Sequence, residues 1–228
     1  MATILNIETA TAVCSVALAK NGNLIALQES TEPNVHAEKL TLFINTIMEQ
    51  AGLTYAQLDA IAIGTGPGSY TGLRIGTSTA KGLCYALDKP LIAIPTLKAM
   101  ALASAAIVQK TDICYCSMID ARRLEVYTGL YGFEGKEILP VEAKILDENS
   151  FSELLAKNEI AFAGDGMPKM KQLLSANGRN CIWVDAVYAS AKNMIPLAEE
   201  AFLQKQFANV AYYEPFYLKD FVAGKKIL

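Results

Sequence analysis

One succession of elements occurs twice in this chain, and any compact fold must accommodate both copies. An apolar strand at residues 3–7 ends in the acidic, hydroxyl-rich turn Glu8-Thr9-Ala10-Thr11. Strands at 13–19 and 24–29, a helix at 36–50 and a strand at 58–63 lead from there to a glycine turn at Gly64. The order repeats as a strand at 113–119, the turn Asp120-Ala121-Arg122, strands at 124–131 and near 141–146, a helix at 150–156, and a strand at 160–163 before Gly164-Asp165-Gly166. Glu8 lies 56 residues before Gly64, and Asp120 lies 44 before Gly164, as expected of one unit duplicated and then trimmed.

Local signals support these elements. Asn21-Gly22 between apolar runs marks a hairpin. Leu40, Phe43, Ile44, Ile47 and Ala51 recur at helical spacing after the break at Pro33-Asn34, with Gly52 as the stop. A helix to about residue 87, a strand at 91–94 and a helix at 96–108 complete the first half. Crossover helices imply a mixed sheet in each of two lobes, 1–108 and 109–228. Ser150 is expected to cap the helix at 150–156. A strand at 180–185 and a helix at 190–204 follow, and Pro196 places the start of that helix near Asn193. Glu214-Pro215-Phe216-Tyr217-Leu218 closes the chain with aromatic residues.

The loop from Gly64 to Gly76 admits two readings. Glycines 64, 66 and 68 around Pro67 suit either a phosphate cradle at a helix N-terminus or a close turn that lets neighbouring segments meet. Leu73-Arg74 stands where a P-loop needs Lys-Ser or Lys-Thr, and neither register of G-x-G-x-x-G finds its last glycine. Thr71 is placed to cap the helix that follows. Along that helix Gly72, Gly76, Ala80 and Cys84 form a stripe of small side chains, flanked by Leu73, Thr77 and Leu83. An interior helical glycine costs about 0.8–1.0 kcal/mol relative to alanine. Gly76 and Gly82 both incur that cost, so close approach of another surface is expected, either the chain's own sheet or a second subunit.

Composition narrows the function. With 52% hydrophobic and 19% charged residues, the 228-residue chain has a globular composition, and its net charge of −3 gives no general basic surface for nucleic acid. Arg122-Arg123 and Lys225-Lys226 read as solvated pairs. Five cysteines in apolar surroundings look like reduced core residues of a cytoplasmic protein. Met1-Ala2-Thr3 runs straight into a strand, without the pattern of a signal peptide, and no apolar run is long enough to span a bilayer. The single histidine, His36, has no cysteine or carboxylate partners at metal-ligand spacing.

The duplicated units resemble the α/β actin-like ATPase fold shared by sugar kinases and Hsp70. More narrowly, Leu5-Asn6-Ile7-Glu8-Thr9-Ala10, His36-Ala37-Glu38-Lys39-Leu40, Gly66 through Gly76 and Asp120-Ala121-Arg122 resemble the bacterial tRNA threonylcarbamoyladenosine biosynthesis proteins of the TsaB (YeaZ) family. Ala37, where that family often has serine, and Tyr70, where phenylalanine is usual, depart mildly from its pattern. The resemblance implies a non-catalytic subunit supporting the homologous enzyme TsaD in placing threonylcarbamoyl on the adenosine next to the anticodon of tRNAs reading codons that begin with A. It implies TsaE, an ATPase, as a third partner, a homodimer when TsaD is absent, and tRNA contact through the complex. It also implies no tightly held cofactor, with ATP or ADP entering only within the complex. The expected partner surface joins His36, Lys39, Leu40 and Phe43 of one helix to Gly72, Leu73, Gly76, Thr77 and Ala80 of the next.

TsaD holds a metal with a His-x-x-x-His pair just past the helix after its glycine loop; Thr96 and Met100 occupy those places here, so no metal site is expected. The rival is a small-molecule kinase or ATPase in which Glu8, Thr9, Asp120, Gly164 and Asp165 meet in a nucleotide cleft. Glu8 and Asp165 read equally well as turn residues. A Ser-His-Asp triad would have to recruit His36, and Tyr70-Thr71 after Ser69 breaks the nucleophile-elbow pattern. A peptidase is the weakest reading, because the metal ligands are absent.

Overall fold

The computed structural model describes residues 2–32, 35–174 and 180–219. Pro33-Asn34 and Lys225-Lys226 lie outside the described residues. The first half runs β1 (Thr3–Glu8), β2 (Cys14–Lys20), β3 (Asn23–Ser30), α1 (His36–Ala51), β4 (Ala60–Gly64), α2 (Tyr70–Leu87), β5 (Leu91–Ile94) and α3 (Thr96–Val108). The second repeats it as β6 (Cys114–Asp120), β7 (Glu125–Tyr131), β8 (Glu137–Ile145), α4 (Ser152–Leu155), β9 (Ile160–Ala163), α5 (Met167–Leu173), β10 (Cys181–Val184) and α6 (Ala191–Leu203).

Each half builds one five-stranded sheet, ordered β3-β2-β1-β4-β5 and β8-β7-β6-β9-β10. The hairpin strands pair antiparallel and the crossover strands parallel, in matching places. Asn21 and Gly22 both adopt positive φ at the first hairpin, and Gly52 ends α1 in the left-handed conformation. Trimming is confined to the outer helices: α1 and α2 span 16 and 18 residues, α4 and α5 only 4 and 7.

Two helices fill the space between the sheets. In α3 nearly every residue is apolar or small, and the helix is buried from Thr96 to Ala105 on the faces it turns to both sheets, with Ala106 and Ile107 exposed at its end. Leu97, Met100, Ala101 and Ala105 pack on the second sheet, while Ala99 meets Ile92 and Ile94 of the first. The C-terminal α6 crosses back to the first sheet, where Met194 and Ala198 join the cluster of Ile4 and Ala62, and Ile195 packs against Ala17. The segment after α6 continues along that lobe: Ala208 N–H donates to Leu91 O, Lys81 Nζ to Ala211 O and Tyr213 O, and Phe216 N–H to Thr65 O.

A carboxylate fixes α6 on its sheet. Glu29 of β3 accepts from the hydroxyls of Ser15 (2.7 Å), Tyr188 (2.8 Å) and Ser190, while Ser15 Oγ accepts from Ala191 N–H at 2.8 Å. Ser190 also caps α6, accepting from Lys192 N–H. The helix therefore begins at Ala191 and not near Asn193. Pro196 is carried inside it because the buried face of Met194, Ile195, Ala198 and Ala201 outweighs one missing backbone bond. Ser150 does not cap α4; its hydroxyl closes a turn with Asp147, and Phe151 takes the cap position with positive φ.

Candidate functional site

The end of β1 delivers Glu8 into the interior, where it is 1% exposed. Oε1 accepts from the N–H groups of Thr9 and Ala10, both at 2.8 Å, and Oε2 accepts from Thr96 Oγ1 at 2.8 Å. Thr96 in turn accepts from Gly66 N–H at 3.1 Å, so one hydroxyl ties the acidic turn to the glycine loop. Gly64 is required beside them, since a methyl there would overlap the Glu8 carboxylate. Burial raises the Glu8 pKa above the ordinary carboxylate range, and the three donors pull it only part of the way back. A raised folded pKa means that Glu8's contribution to stability is complete below its unfolded pKa and lost as pH rises through the folded one. Glu8→Gln should therefore gain on the wild type in melting temperature from about pH 5 to about pH 8. A difference that stays constant over that range would contradict the assignment.

The glycine loop makes a close turn onto its own chain. Thr65 N–H donates to Ile94 O at 2.8 Å, Gly66 N–H to Thr96, and Ser69 N–H to Ala10 O at 2.7 Å. Ser69, rather than Thr71, caps α2: its hydroxyl accepts from Gly72 N–H at 3.2 Å, and Thr71 already lies within the helix. At Gly68 a methyl would overlap Ala10 O. These N–H groups of Thr65, Gly66, Ser69 and Gly72 are thus engaged inside the chain and not offered to a phosphate.

The small-residue stripe faces inward. Gly72, Leu73, Gly76, Thr77 and Ala80 are all buried. A methyl at Gly72 would overlap the Thr9 carbonyl oxygen, and one at Gly76 would overlap Thr9 Oγ1 and crowd Ile63. The stripe thus lets α2 approach β1 and β4: of the five residues expected to meet a partner, Gly72, Gly76 and Ala80 lie against the chain's own sheet and core, Leu73 packs on the loop at Gly66, and Thr77 is buried beside the closing segment. On α1, His36 and Leu40 are buried too. Desolvation lowers the His36 pKa, and Nε2 has no hydrogen-bond partner among the described residues. Lys39 is half-buried and pairs with Glu32 at 2.6 Å, and Phe43 packs half-buried on the first core. The outward face of α2 carries Ser78, Gly82, Tyr85 and Ala86, and a methyl at Gly82 would meet nothing within 4 Å.

The second acidic turn forms a separate cluster. Asp165 Oδ1 accepts from Asp120 N–H at 3.0 Å, and Asp120 pairs with Lys169 at 2.8 Å. Burial raises the Asp165 pKa. Gly164, with φ +102°, brings the turn against Met118 O and the Met100 methyl. No hydrogen bond or ion pair links Glu8 or Thr9 to Asp120 or Asp165 among the described residues. No group of three or more metal-ligating side chains occurs among them either.

Sequence reasoning missed Thr96 as the partner of Glu8, because 88 residues separate the two. It also missed the cavity of about 500 Å³ between α2 and the closing segment, where Arg74 lies over the Tyr70 ring at 5.2 Å and Tyr70 meets Tyr217 at 4.9 Å.

Across 99% of its length the chain is 33% identical to the tRNA threonylcarbamoyladenosine biosynthesis protein TsaB of Haemophilus influenzae, 97% of which is covered. The chain belongs to the TsaB family. The TsaD family model, described as tRNA N6-adenosine threonylcarbamoyltransferase, matches residues 31–226, so this chain is similar in sequence to that transferase family over most of its length. YeaZ from Pseudomonas aeruginosa is similar in structure, with 28% identity, a TM-score of 0.78 and coverage of 96% of this chain and 100% of that one. The fold extends further: the activator of 2-hydroxyisocaproyl-CoA dehydratase from Clostridium difficile superposes with a TM-score of 0.52 at 10% identity, over 91% of this chain and 98% of that one. The architecture is the actin-like ATPase fold with two duplicated lobes, as the resemblance of the repeated units implied.

Proposed function

We propose that this chain is a non-catalytic subunit that supports TsaD in forming threonylcarbamoyladenosine next to the anticodon of tRNAs reading codons that begin with A. The observation that carries the reading is the self-satisfied first lobe: Glu8 and the N–H groups of Thr65, Gly66 and Ser69 are all bonded within the chain. Kinases of this fold use such groups on phosphate and metal. The two places of TsaD's metal-binding histidines carry Thr96, which bridges Glu8 and Gly66, and Met100, which is buried in the second core. TsaE and a carbamoyl-adenylate donor made elsewhere complete the scheme, in the cytoplasm, with ATP or ADP acting only in the assembled complex and tRNA held by the assembly.

TsaD docks on the outer face of α1 and α2, and a second copy of this chain takes its place when TsaD is absent. Gly82 supports this surface. It costs about 0.8–1.0 kcal/mol in an exposed helix interior, and nothing among the described residues comes within 4 Å of a methyl placed there. Leu42 and Tyr85, 62% and 88% exposed, lie on the outer sides of the same two helices. Gel filtration tests the reading: wild type and TsaD co-elute, and Gly82→Trp abolishes co-elution without lowering the melting temperature. Co-elution retained by Gly82→Trp would remove this surface from the account.

A further inference from the structure

We propose that the β6–β7 turn, through Arg122 and Arg123, binds the phosphodiester backbone of RNA. The described residues hold six ion pairs, and every cation in them is a lysine. Arg74, Arg122 and Arg123 have no carboxylate partner among those residues, and Arg74 rests on a tyrosine ring. Guanidinium is the side chain best matched to phosphate oxygens. Two in succession, exposed and unpaired, are out of keeping with a chain of net charge −3.

Their backbone is unusual as well. Arg122 and Arg123 adopt φ of 72° and 49°, a left-handed conformation that glycine would take without strain. Selection for the turn alone would favour glycine or asparagine; arginine at both places points to the side chains. The turn is also braced from below. Arg122 N–H donates to Asp120 Oδ1 at 2.6 Å, Glu125 N–H to Arg122 O at 3.1 Å, and Ala121 N–H to Glu125 O at 3.1 Å. Lys169 and Lys219 pair with Asp120 and Glu125, so the acids at the base of the turn are neutralised and the two guanidiniums project from it unopposed. Leu124, 54% exposed, offers an apolar side chain beside them on which a sugar or an unstacked base can lie.

The assignment rests on the tRNA reading above and goes beyond it by giving this subunit direct contact with the substrate. The test is tRNA binding by the assembly with TsaD, measured by fluorescence anisotropy at several salt concentrations, with wild type and with Arg122→Gly/Arg123→Gly. Because glycine suits both backbone positions, the variant should melt no lower than wild type and still co-elute with TsaD. Its affinity should fall severalfold, and the slope of log affinity against log salt should shrink by about 2, one for each lost phosphate contact. Unchanged affinity and slope would overturn the assignment and leave the tRNA reading intact. Loss of co-elution would overturn it too, by making the turn a protein interface. No tRNA binding by the wild-type assembly would overturn both.

Discussion

Gly72→Ala is expected to lower the melting temperature of this chain by up to roughly 8 °C and Gly82→Ala to raise it by roughly 2–4 °C, although both change glycine to alanine in one helix. Helix propensity favours both substitutions by about 0.8–1.0 kcal/mol. What separates them is the space at Cβ. At Gly82 that space is open, so the propensity gain appears in full. At Gly72 the methyl overlaps the Thr9 carbonyl oxygen, whose residue is held by the bond from its own N–H to the Glu8 carboxylate. α2 must move off the end of β1, and overpacking of this kind costs about 1–3 kcal/mol, occasionally more. Thermal melts of the two variants decide the matter. A rise for Gly72→Ala would mean that α2 is not seated on the β1 turn.

The second large effect concerns the hold of α6 on the first sheet. Glu29→Ala is expected to destabilise the chain by about 3 kcal/mol, since hydrogen bonds to a charged group contribute about 1.5–3 kcal/mol each and part of this one's surface is exposed. The loss leaves the hydroxyls of Ser15 and Ser190, 0% and 2% exposed, with only each other at 3.5 Å as partners for their protons among the described residues at the N-terminus of α6. Glu29→Gln keeps an oxygen for both serines and should cost under about 1 kcal/mol. Hydrogen exchange adds a local readout: amides of residues 191–203 should lose protection in the alanine variant before those of β4 do. Equal melting of the alanine and glutamine variants would show that packing of Met194 and Ala198, and not the carboxylate, holds the helix.

Elements defined by short-range signals were legible in the sequence. Asn21-Gly22, Gly52 and the alternation of strand residues act over a few positions, and the duplicated order followed from them. The direction of the α2 stripe was not legible. Small residues every fourth position permit close approach on that side, but a sheet and a partner helix demand the same side chains, so the period cannot say which one arrives. Contacts between distant positions were equally hidden: Thr96 meets Glu8 across 88 residues, and Ser15 meets Ala191 across 176. The short α5 was not foreseen, because Pro168 and two lysines within 7 residues leave no readable apolar period. Pro196 misled for a related reason, as tertiary burial overrode a local rule.

The central claim is that this lobe-duplicated chain performs no chemistry alone and is needed by its catalytic homologue. The most direct measurement is threonylcarbamoyladenosine formation on tRNA, supplied with the carbamoyl-adenylate donor, TsaE and ATP, with this chain alone, with TsaD alone and with both. Product only when both are present is the expected result. Product from this chain without TsaD, or full product from TsaD without this chain, would contradict it.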